Sequence, residues 1–193
     1  GRKPEQVVVT GNPAFDVLNS SAAWMQGLEM RAALGWSCRR VVLWPTQVEP
    51  AVHPFDGRPG DPTLPVRALA EVIRWVCSRT DTILCIRPRA GEAPPVVPTD
   101  ARFVITGQDW PLAPLLHATD LVITLTSTVG LEGHLIGCRV IQVLGSVFDT
   151  AMPLASYGMA DTAVSVGLIP QALDRWICAP RREAQERTLK KKK

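Results

Sequence analysis

Short apolar runs alternate along the chain with longer stretches in which apolar residues recur every three or four positions. The runs are too short for helices and rich in Val and Ile, which is typical of strands buried on both faces of a parallel sheet. They predict strands at Gln6–Thr10, Val41–Trp44, Thr82–Ile86, Phe103–Thr106, Leu121–Leu125, Val140–Val143 and, as a short one, Ala163–Val166.

The stretches between the runs have helical spacing. They predict a partly helical segment from Phe15 to Met30, broken near Asn19–Ser21 and ended by Gly35, and helices at Thr63–Arg79, Trp110–Ala118, Thr126–Gly137 and Ile169–Cys178. Asp109 is a candidate N-cap for the helix at Trp110–Ala118.

The alternation of strands and helices indicates an α/β fold with a doubly wound, mostly parallel sheet. We expect a Rossmann-like domain of about six strands with helices on both faces, spanning residues 1–180. The polar, basic residues 181–193 are expected to form an extension that is partly disordered.

The stretch Asp120–Val143 holds the clearest candidate for a binding site. Its two strands flank the hydroxyl-rich turn Thr126–Thr128, which leads into a helix that stops at Gly137. Free backbone N–H groups and the positive end of the helix dipole make such a turn suitable for an anion.

Other polar residues follow the remaining predicted strands. Ligands of open α/β sheets bind beyond the carboxyl ends of the strands, so these residues are expected at one edge. They are Asn12, Gln47, Arg87 and Gln108, together with the turn Thr126–Thr128.

Charge and composition narrow the class of protein. Four of the positive charges behind the net charge of +3 lie in Lys190–Lys193, so the rest of the chain is nearly neutral and is not expected to bind nucleic acid. No apolar run is long enough to cross a bilayer, although the lysine tail leaves a peripheral membrane contact open.

The cysteine pattern favours reduced thiols. No pair has C-x-x-C spacing, and Cys77, Cys85 and Cys138 lie in apolar stretches, which predicts core thiols in a cytoplasmic protein. No metal site and no cofactor are expected.

The motif Ser127-Thr128-Val129-Gly130-Leu131-Glu132, followed by a strand, resembles the nucleotide-binding half of GT-B glycosyltransferases. It is most similar to bacterial capsule and surface-polysaccharide enzymes, including Kdo transferases and relatives of UDP-N-acetylglucosamine 2-epimerases. The strand ending in Gly11-Asn12-Pro13 and the Ile86-Arg87-Pro88 element are also similar. The resemblance spans roughly residues 6–178 and concerns the C-terminal domain of those enzymes only.

The resemblance implies specific roles. Ser127, Thr128 and the backbone of Val129 and Gly130 would hold the donor's phosphates, and Glu132 would bind ribose hydroxyls. Arg87 would neutralise a phosphate or a sugar carboxylate. The chain departs from the family in two places: Arg87-Pro88-Arg89-Ala90 replaces Arg-Pro-His-Pro, and the epimerases' glycine pair and double glutamate are absent.

Each residue also has a structural explanation. Ser127 or Thr128 fits an N-cap, and Glu132 suits the first turns of a helix because of its dipole. Gly130 suits close packing, and Arg87 a surface ion pair. Gln47, Gln108 and Asn12 suit solvated loops or turns.

The leading hypothesis is a donor domain of a glycosyltransferase that builds surface polysaccharide, needs no divalent metal and acts in the cytoplasm or at the inner face of the cytoplasmic membrane. Its N-terminal acceptor-binding domain would be missing from this chain, so its catalytic residues are unassigned and little activity is expected. The alternatives are an epimerase or hydrolase using Asp16, His53 or Asp109, and a non-catalytic assembly domain that docks through the Trp24–Met30 face.

Overall fold

The computed structural model describes Lys3, Gln6 and residues 12–107 and 109–180, and the structural statements that follow concern these residues. Most of the predicted strand Gln6–Thr10 lies outside the described residues, as do Gly11, Gln108 and residues 181–193.

Six parallel strands form one sheet in the order β3-β2-β1-β4-β5-β6. The strands are β1 Arg40–Pro45, β2 Thr82–Arg87, β3 Phe103–Ile105, β4 Leu121–Thr124, β5 Arg139–Val143 and β6 Thr162–Val164. Chain order reverses between β1 and β4, as in a doubly wound sheet, so the predicted fold class is confirmed.

Five helices cover the sheet: α1 Ser21–Ala33, α2 Leu64–Cys77, α3 Leu112–Ala118, α4 Thr128–Leu135 and α5 Ile169–Trp176. A 3-10 helix, Pro13–Asn19, precedes α1. The predicted break between them is confirmed, because Ser20 caps α1 by accepting a hydrogen bond from the Ala23 N–H at 3.1 Å.

Side chains of successive strand residues point to opposite faces and divide the core in two. On β1, Val42 and Trp44 pack with α2 and α5, whereas Val41 and Leu43 pack with α3 and with residues that flank α1 and α4. Helices on both faces explain why the strand sequences are almost continuously apolar. Within the described ranges, no helix combines the length and apolar character needed to cross a membrane.

Two glycines bring α4 into close contact with the sheet. A Cβ atom on Gly130 would lie 2.8 Å from Thr124 Cγ2, and one on Gly133 would lie 2.8 Å from Val122 Cγ2. Both distances are shorter than ordinary van der Waals contact, so the helix can occupy this position only because these residues lack side chains.

Two predictions made from the sequence are wrong. Asp109 does not cap α3, because the N-cap position is two residues later, at Pro111, and has no side-chain cap bond. Cys77 is exposed at the end of α2, unlike the buried Cys85 and Cys138, because the apolar face of α2 ends at Val76.

We expect Gly133→Ala to lower the free energy of unfolding by about 1–3 kcal/mol, the usual cost of overpacking a core. The reason is that the stiff, β-branched side chain of Val122 has no free space into which to move. Urea denaturation measures the change, with Gly167→Ala as a control because nothing lies within 4 Å of that position. Equal stability of the two variants would show that α4 can move away from the sheet.

Candidate active site

A crevice opens at the carboxyl end of the sheet, between β1 and β4. These two strands pair only at Val42 with Leu121 and at Leu43 with Val122. By contrast, β1 pairs with β2 as far as Pro45, and β4 pairs with β5 as far as Thr124. The strands therefore separate at the point where chain order reverses, which is where ligands of open α/β sheets bind.

The side-chain amide of Gln47 bridges this crevice. Its Oε1 accepts hydrogen bonds from Thr124 Oγ1 at 2.7 Å and from the Leu125 N–H at 2.8 Å. Its Nε2 donates to Thr126 Oγ1 at 3.3 Å. Gln47 and Thr126 were both predicted at this edge, and the structure brings them together. The amide of Gln47 positions the turn after β4.

The turn after β4 is an N-cap. Ser127 Oγ accepts a hydrogen bond from the Val129 N–H at 3.2 Å, and the Ser127 carbonyl accepts one from the Gly130 N–H at 3.0 Å. The Ser127 N–H itself donates to Thr124 Oγ1 at 3.3 Å. Thr128 is exposed at the start of α4. An anion bound here would share or replace these local acceptors.

Glu132 extends from α4 into a groove of about 420 Å³ between the 3-10 helix, the start of α1 and α3. The walls are largely apolar, including Val17, Ala22 and Leu112, and the groove also contains Gln26. Glu132 Oε2 is buried and has no hydrogen-bond partner among the described residues. Burial raises the pKa of Glu132 above its usual range, and the positive charge of Arg87 opposes this effect.

Arg87 lies at the end of β2, where its Nη1 donates to the carbonyl of Trp110 at 2.8 Å. This bond fixes the guanidinium beside the loop that leads into α3. Its charge acts on Glu132. Arg87 ends β2, and Glu132 lies on the helix that follows β4. The structure therefore brings the two residues together at the carboxyl edge of the sheet, as the topology predicts.

The loops after β1 and β5 are joined by Glu49, which the sequence analysis did not single out. Glu49 is only 5% exposed, and its carboxylate accepts hydrogen bonds from Ser146 Oγ and the Val147 N–H, both at 2.7 Å. A carboxyl residue in a Pro- and Gly-rich loop carries no sequence signal that distinguishes a buried acceptor from a solvated side chain.

The loops after β1 and β2 are joined in a similar way. Thr46 Oγ1 donates to Glu92 Oε2 at 2.5 Å and accepts from the Arg89 N–H at 3.0 Å. A cavity of about 240 Å³ lies beside these residues, between Trp44 and the first turns of α2. Arg89 is itself exposed.

Two predicted site residues stand apart from this description. Asn12 is exposed ahead of the 3-10 helix, where its carbonyl accepts a hydrogen bond from the Phe15 N–H at 3.0 Å. Gln108 lies outside the described residues. The ligand roles of these two residues and of Arg87, Gln47, Thr126, Ser127, Thr128, Val129, Gly130 and Glu132 stay predictions.

Comparison with known proteins supports the fold. No protein-family model matches the chain, and no curated protein sequence matches it. Among solved structures, the wall teichoic acid polymerase TagF is similar over 91% of this chain and 45% of its own, with a TM-score of 0.56 and 15% identity. The C-terminal CMP-Kdo binding domain of WaaA from Acinetobacter baumannii is similar over 81% of this chain and 88% of that domain, with a TM-score of 0.51 and 12% identity.

The glycosyltransferase SnogD from Streptomyces nogalater is similar over 74% of this chain and 35% of its own, with a TM-score of 0.50 and 16% identity. The chain thus spans less than half of SnogD and of TagF. These likenesses define the class: the chain has the Rossmann-like fold found in one half of GT-B glycosyltransferases. At this level of identity they establish the fold alone, and they confirm the resemblance in that respect.

We expect Gln47→Ala to lower the free energy of unfolding by about 1–3 kcal/mol, because it leaves the Leu125 N–H and the buried Thr124 hydroxyl without an acceptor. Chemical denaturation measures the loss. Gln171→Ala, at an exposed position on α5, is the matched control and should change stability little. If both variants unfold at the same urea concentration, the Gln47 amide does not hold the crevice together.

We expect Glu132→Gln to stabilise the fold near neutral pH. A raised pKa means that the folded protein binds a proton more readily than the unfolded chain does, so wild-type stability falls as pH rises from the ordinary Glu range through the raised value. The variant's advantage should therefore grow between about pH 4 and pH 7, the span from the ordinary glutamate pKa to neutrality. Denaturation across that range measures it, with the exposed Glu29→Gln as the charge-matched control; a constant difference would contradict the role of burial.

Proposed function

We propose that this chain is the donor-binding domain of a metal-independent GT-B glycosyltransferase that acts in bacterial surface-polysaccharide synthesis. The observation that supports it best is the crevice between β1 and β4, with a hydroxyl-rich helix N-terminus on its β4 side. In a groove beside it lies Glu132, whose buried Oε2 has no hydrogen-bond partner among the described residues. A helix N-terminus that can bind phosphate, next to a carboxylate that can accept hydrogen bonds from hydroxyl groups, suits a nucleotide.

The donor would lie across the carboxyl edge of the sheet. Its phosphates would meet the Ser127 and Thr128 hydroxyls and the N-terminus of α4, where the helix dipole favours negative charge. The ribose hydroxyls would donate to Glu132 and satisfy its free oxygen. The nucleoside would extend into the apolar groove beside Leu112, where the Gln26 amide is available for polar contact.

The charges of this edge support the idea that a second domain completes the site. Carboxylates are numerous there: Glu49, Glu92, Glu132 and Asp149. Of the cations on these loops, Arg87 is already bound to the Trp110 carbonyl and Arg58 to Asp56, whereas Arg89 is exposed. Stabilising the charge of a leaving diphosphate needs more positive charge than this. We infer that an acceptor-binding domain supplies it and that the chain alone transfers little sugar.

The proposed reaction fits a cytoplasmic location that includes the inner face of the membrane, where a surface-polysaccharide acceptor would be presented. Chemistry of this kind depends on positioning and on stabilising the leaving phosphate. No divalent metal is required by it. One structure of TagF is that of a variant soaked with CDP-glycerol, and the WaaA domain is a CMP-Kdo binding domain. Nucleotide-linked donors are therefore the class of ligand to test first.

One observation favours a second candidate, an assembly domain that binds no donor. Trp24, Met25 and Leu28 are 51%, 47% and 44% exposed on α1, and so form an apolar face turned toward solvent. No comparable observation favours an epimerase: His53 is buried, and its Nδ1 lies 2.7 Å from Oδ1 of Asp56 within the loop after β1. The assembly domain would show no thermal response to any nucleotide.

We expect one nucleotide among UDP, CDP, CMP and GDP, or a derived donor, to raise the melting temperature. A ligand at about 100 times its dissociation constant adds about 2.7 kcal/mol of stability. Glu132→Gln should lose this shift although its ligand-free form is more stable than the wild type. Ser127→Ala should lose it as well, while its missing N-cap costs about 1 kcal/mol without ligand.

Asp61→Ala serves as the control for a weakened helix start in this measurement. Asp61 Oδ1 accepts a hydrogen bond from the Thr63 N–H at the start of α2, so its loss weakens a helix start on the opposite face of the sheet. This variant should keep the full ligand-induced shift. If no nucleotide shifts the wild type, or if Glu132→Gln keeps the shift, the assignment of Glu132 and the turn to donor binding is wrong.

A further inference from the structure

The outer face of α1, formed by its exposed residues, is almost uncharged. Nine of the thirteen residues of this helix are exposed, and Glu29 is the single charged residue among the nine. Trp24, Met25 and Leu28 belong to this face and are 51%, 47% and 44% exposed. A helix at the surface of a globular protein normally turns charged and polar residues toward water. The outer face of α1 therefore has the composition of a surface that is covered.

The other long helices follow the usual pattern, and α1 cannot turn its apolar side chains inward. All three exposed residues of α5 are polar, and two of the exposed residues of α2 are arginines. They are Gln171, Asp174 and Arg175 on α5 and Arg67 and Arg74 on α2. The inner side of α1 is fixed against α3, because a Cβ atom on Gly27 would lie 2.5 Å from His117 Cβ. The apolar residues of the outer face thus stay turned toward solvent.

The area of this face suits a lipid surface better than a protein partner. A large side chain carries about 150–250 Å² of surface, so three that are about half exposed offer roughly 300 Å². A stable protein interface takes about 800 Å² from each partner. The binding of a helix that lies in the headgroup region depends on its apolar area and on attraction to anionic lipid together, so a smaller apolar area is enough. Trp is also enriched at the boundary between lipid and water.

Positive charge adjoins the outer face where α1 ends. Arg39 and Arg40 stand at the start of β1, at the amino edge of the sheet, and both are exposed. Arg31, in the last turn of α1, donates through Nη2 to the Arg39 carbonyl at 2.6 Å and so joins the end of the helix to this edge. The carboxylate of Asp120 is paired with Arg31 at 3.1 Å. The two exposed arginines therefore give this end of the face a positive charge.

The basic C-terminal segment continues from the same edge. The Pro180 carbonyl accepts a hydrogen bond at 2.8 Å from Nε of Arg139, the first residue of β5. Only β4 separates β5 from β1, so the two strands lie about 10 Å apart. Residues 181–193 carry seven Lys and Arg residues and two Glu residues. The segment thus adds positive charge to a chain that leaves the sheet near the end of α1.

We propose that the outer face of α1, together with the two arginines at the start of β1, binds the surface of a bilayer that contains anionic lipid. Trp24, Met25 and Leu28 enter the headgroup region, and the arginines meet lipid phosphates, since each cation near such a surface adds to the attraction. Glu29 is the one charge of the face that opposes binding, and the cations outnumber it. This contact does not depend on donor binding, so it goes beyond the proposed function and can fail separately from it.

Co-sedimentation of the full chain with lipid vesicles tests the proposal. Vesicles of phosphatidylcholine alone are compared with vesicles that also contain phosphatidylglycerol, each at low and at high salt. We expect the wild type to bind the anionic vesicles more tightly than the neutral ones. High salt should remove this difference, because it screens the attraction between the arginines and the lipid phosphates.

A double variant isolates the apolar contact. Trp24→Ser with Leu28→Ser should weaken binding to the anionic vesicles by about ten-fold or more, because both changes remove apolar surface that lipid would cover. The matched control is Phe55→Ser with Val66→Ser, which removes two side chains that are 90% and 69% exposed and lie outside α1. The control should bind as the wild type does, and a melting temperature checks that each variant is folded.

A second comparison isolates the charges. Arg39→Gln with Arg40→Gln should weaken binding to the anionic vesicles at low salt, whereas Arg67→Gln with Arg74→Gln on α2 should not. A chain that stops at Leu189 lacks the four lysines and should bind more weakly than the whole chain. It should still lose binding when Trp24→Ser and Leu28→Ser are added, because the helix face provides the apolar contact.

Three results would overturn the inference. The first is a wild type that stays in the supernatant with anionic vesicles at low salt. The second is a Trp24→Ser, Leu28→Ser variant that binds as tightly as the wild type, which would leave the lysines as the only contact with lipid. The third is a dimer, seen by light scattering, that the same variant converts to a monomer, because a second copy of the chain would then cover the face. None of these results bears on nucleotide binding.

Discussion

The site depends on one side-chain amide, that of Gln47. Parallel strands at a switch point separate toward their carboxyl ends, because the chain leaves each strand toward a different face of the sheet. The separation exposes backbone groups that the ladder no longer pairs, and a buried, unpaired N–H is strongly unfavourable. Gln47 satisfies the Leu125 N–H and the Thr124 hydroxyl from across the gap. These hydrogen bonds fix the turn of Ser127 relative to the end of β1.

Stability and binding oppose each other at this edge. Glu132 and Asp149 each keep a buried oxygen without a partner in the described chain, and burial raises the pKa of both. A glutamine or asparagine of the same shape would avoid the desolvation of a charge. Groups that weaken the folded state are typical of sites whose missing partner is a ligand.

Much of the fold could be predicted from the sequence, and less of the site. Strands such as Thr82–Arg87 are recognisable because burial on both faces demands continuous apolar residues, and Gly137 marks the end of α4 because its φ of +89° suits glycine. The role of Gln47 could not be predicted, since an amide after a strand looks the same whether it faces a ligand or the next loop. The predictions for Cys77 and Asp109 were wrong for a related reason. A shift of one position along α2 exposes Cys77, and Pro111 moves the N-cap of α3 away from Asp109.

The bridge between Glu49 and the turn after β5 also has a consequence for the order of assembly. Glu49 and Ser146 are 97 residues apart in sequence. Bringing such distant segments together is entropically unfavourable until the intervening strands and helices are in place, so contacts of this kind form late in folding. The edge that is proposed to bind the donor thus requires both β1 and β5 to be in place in the sheet. A chain in which either strand is still unpaired lacks this bridge between the two loops.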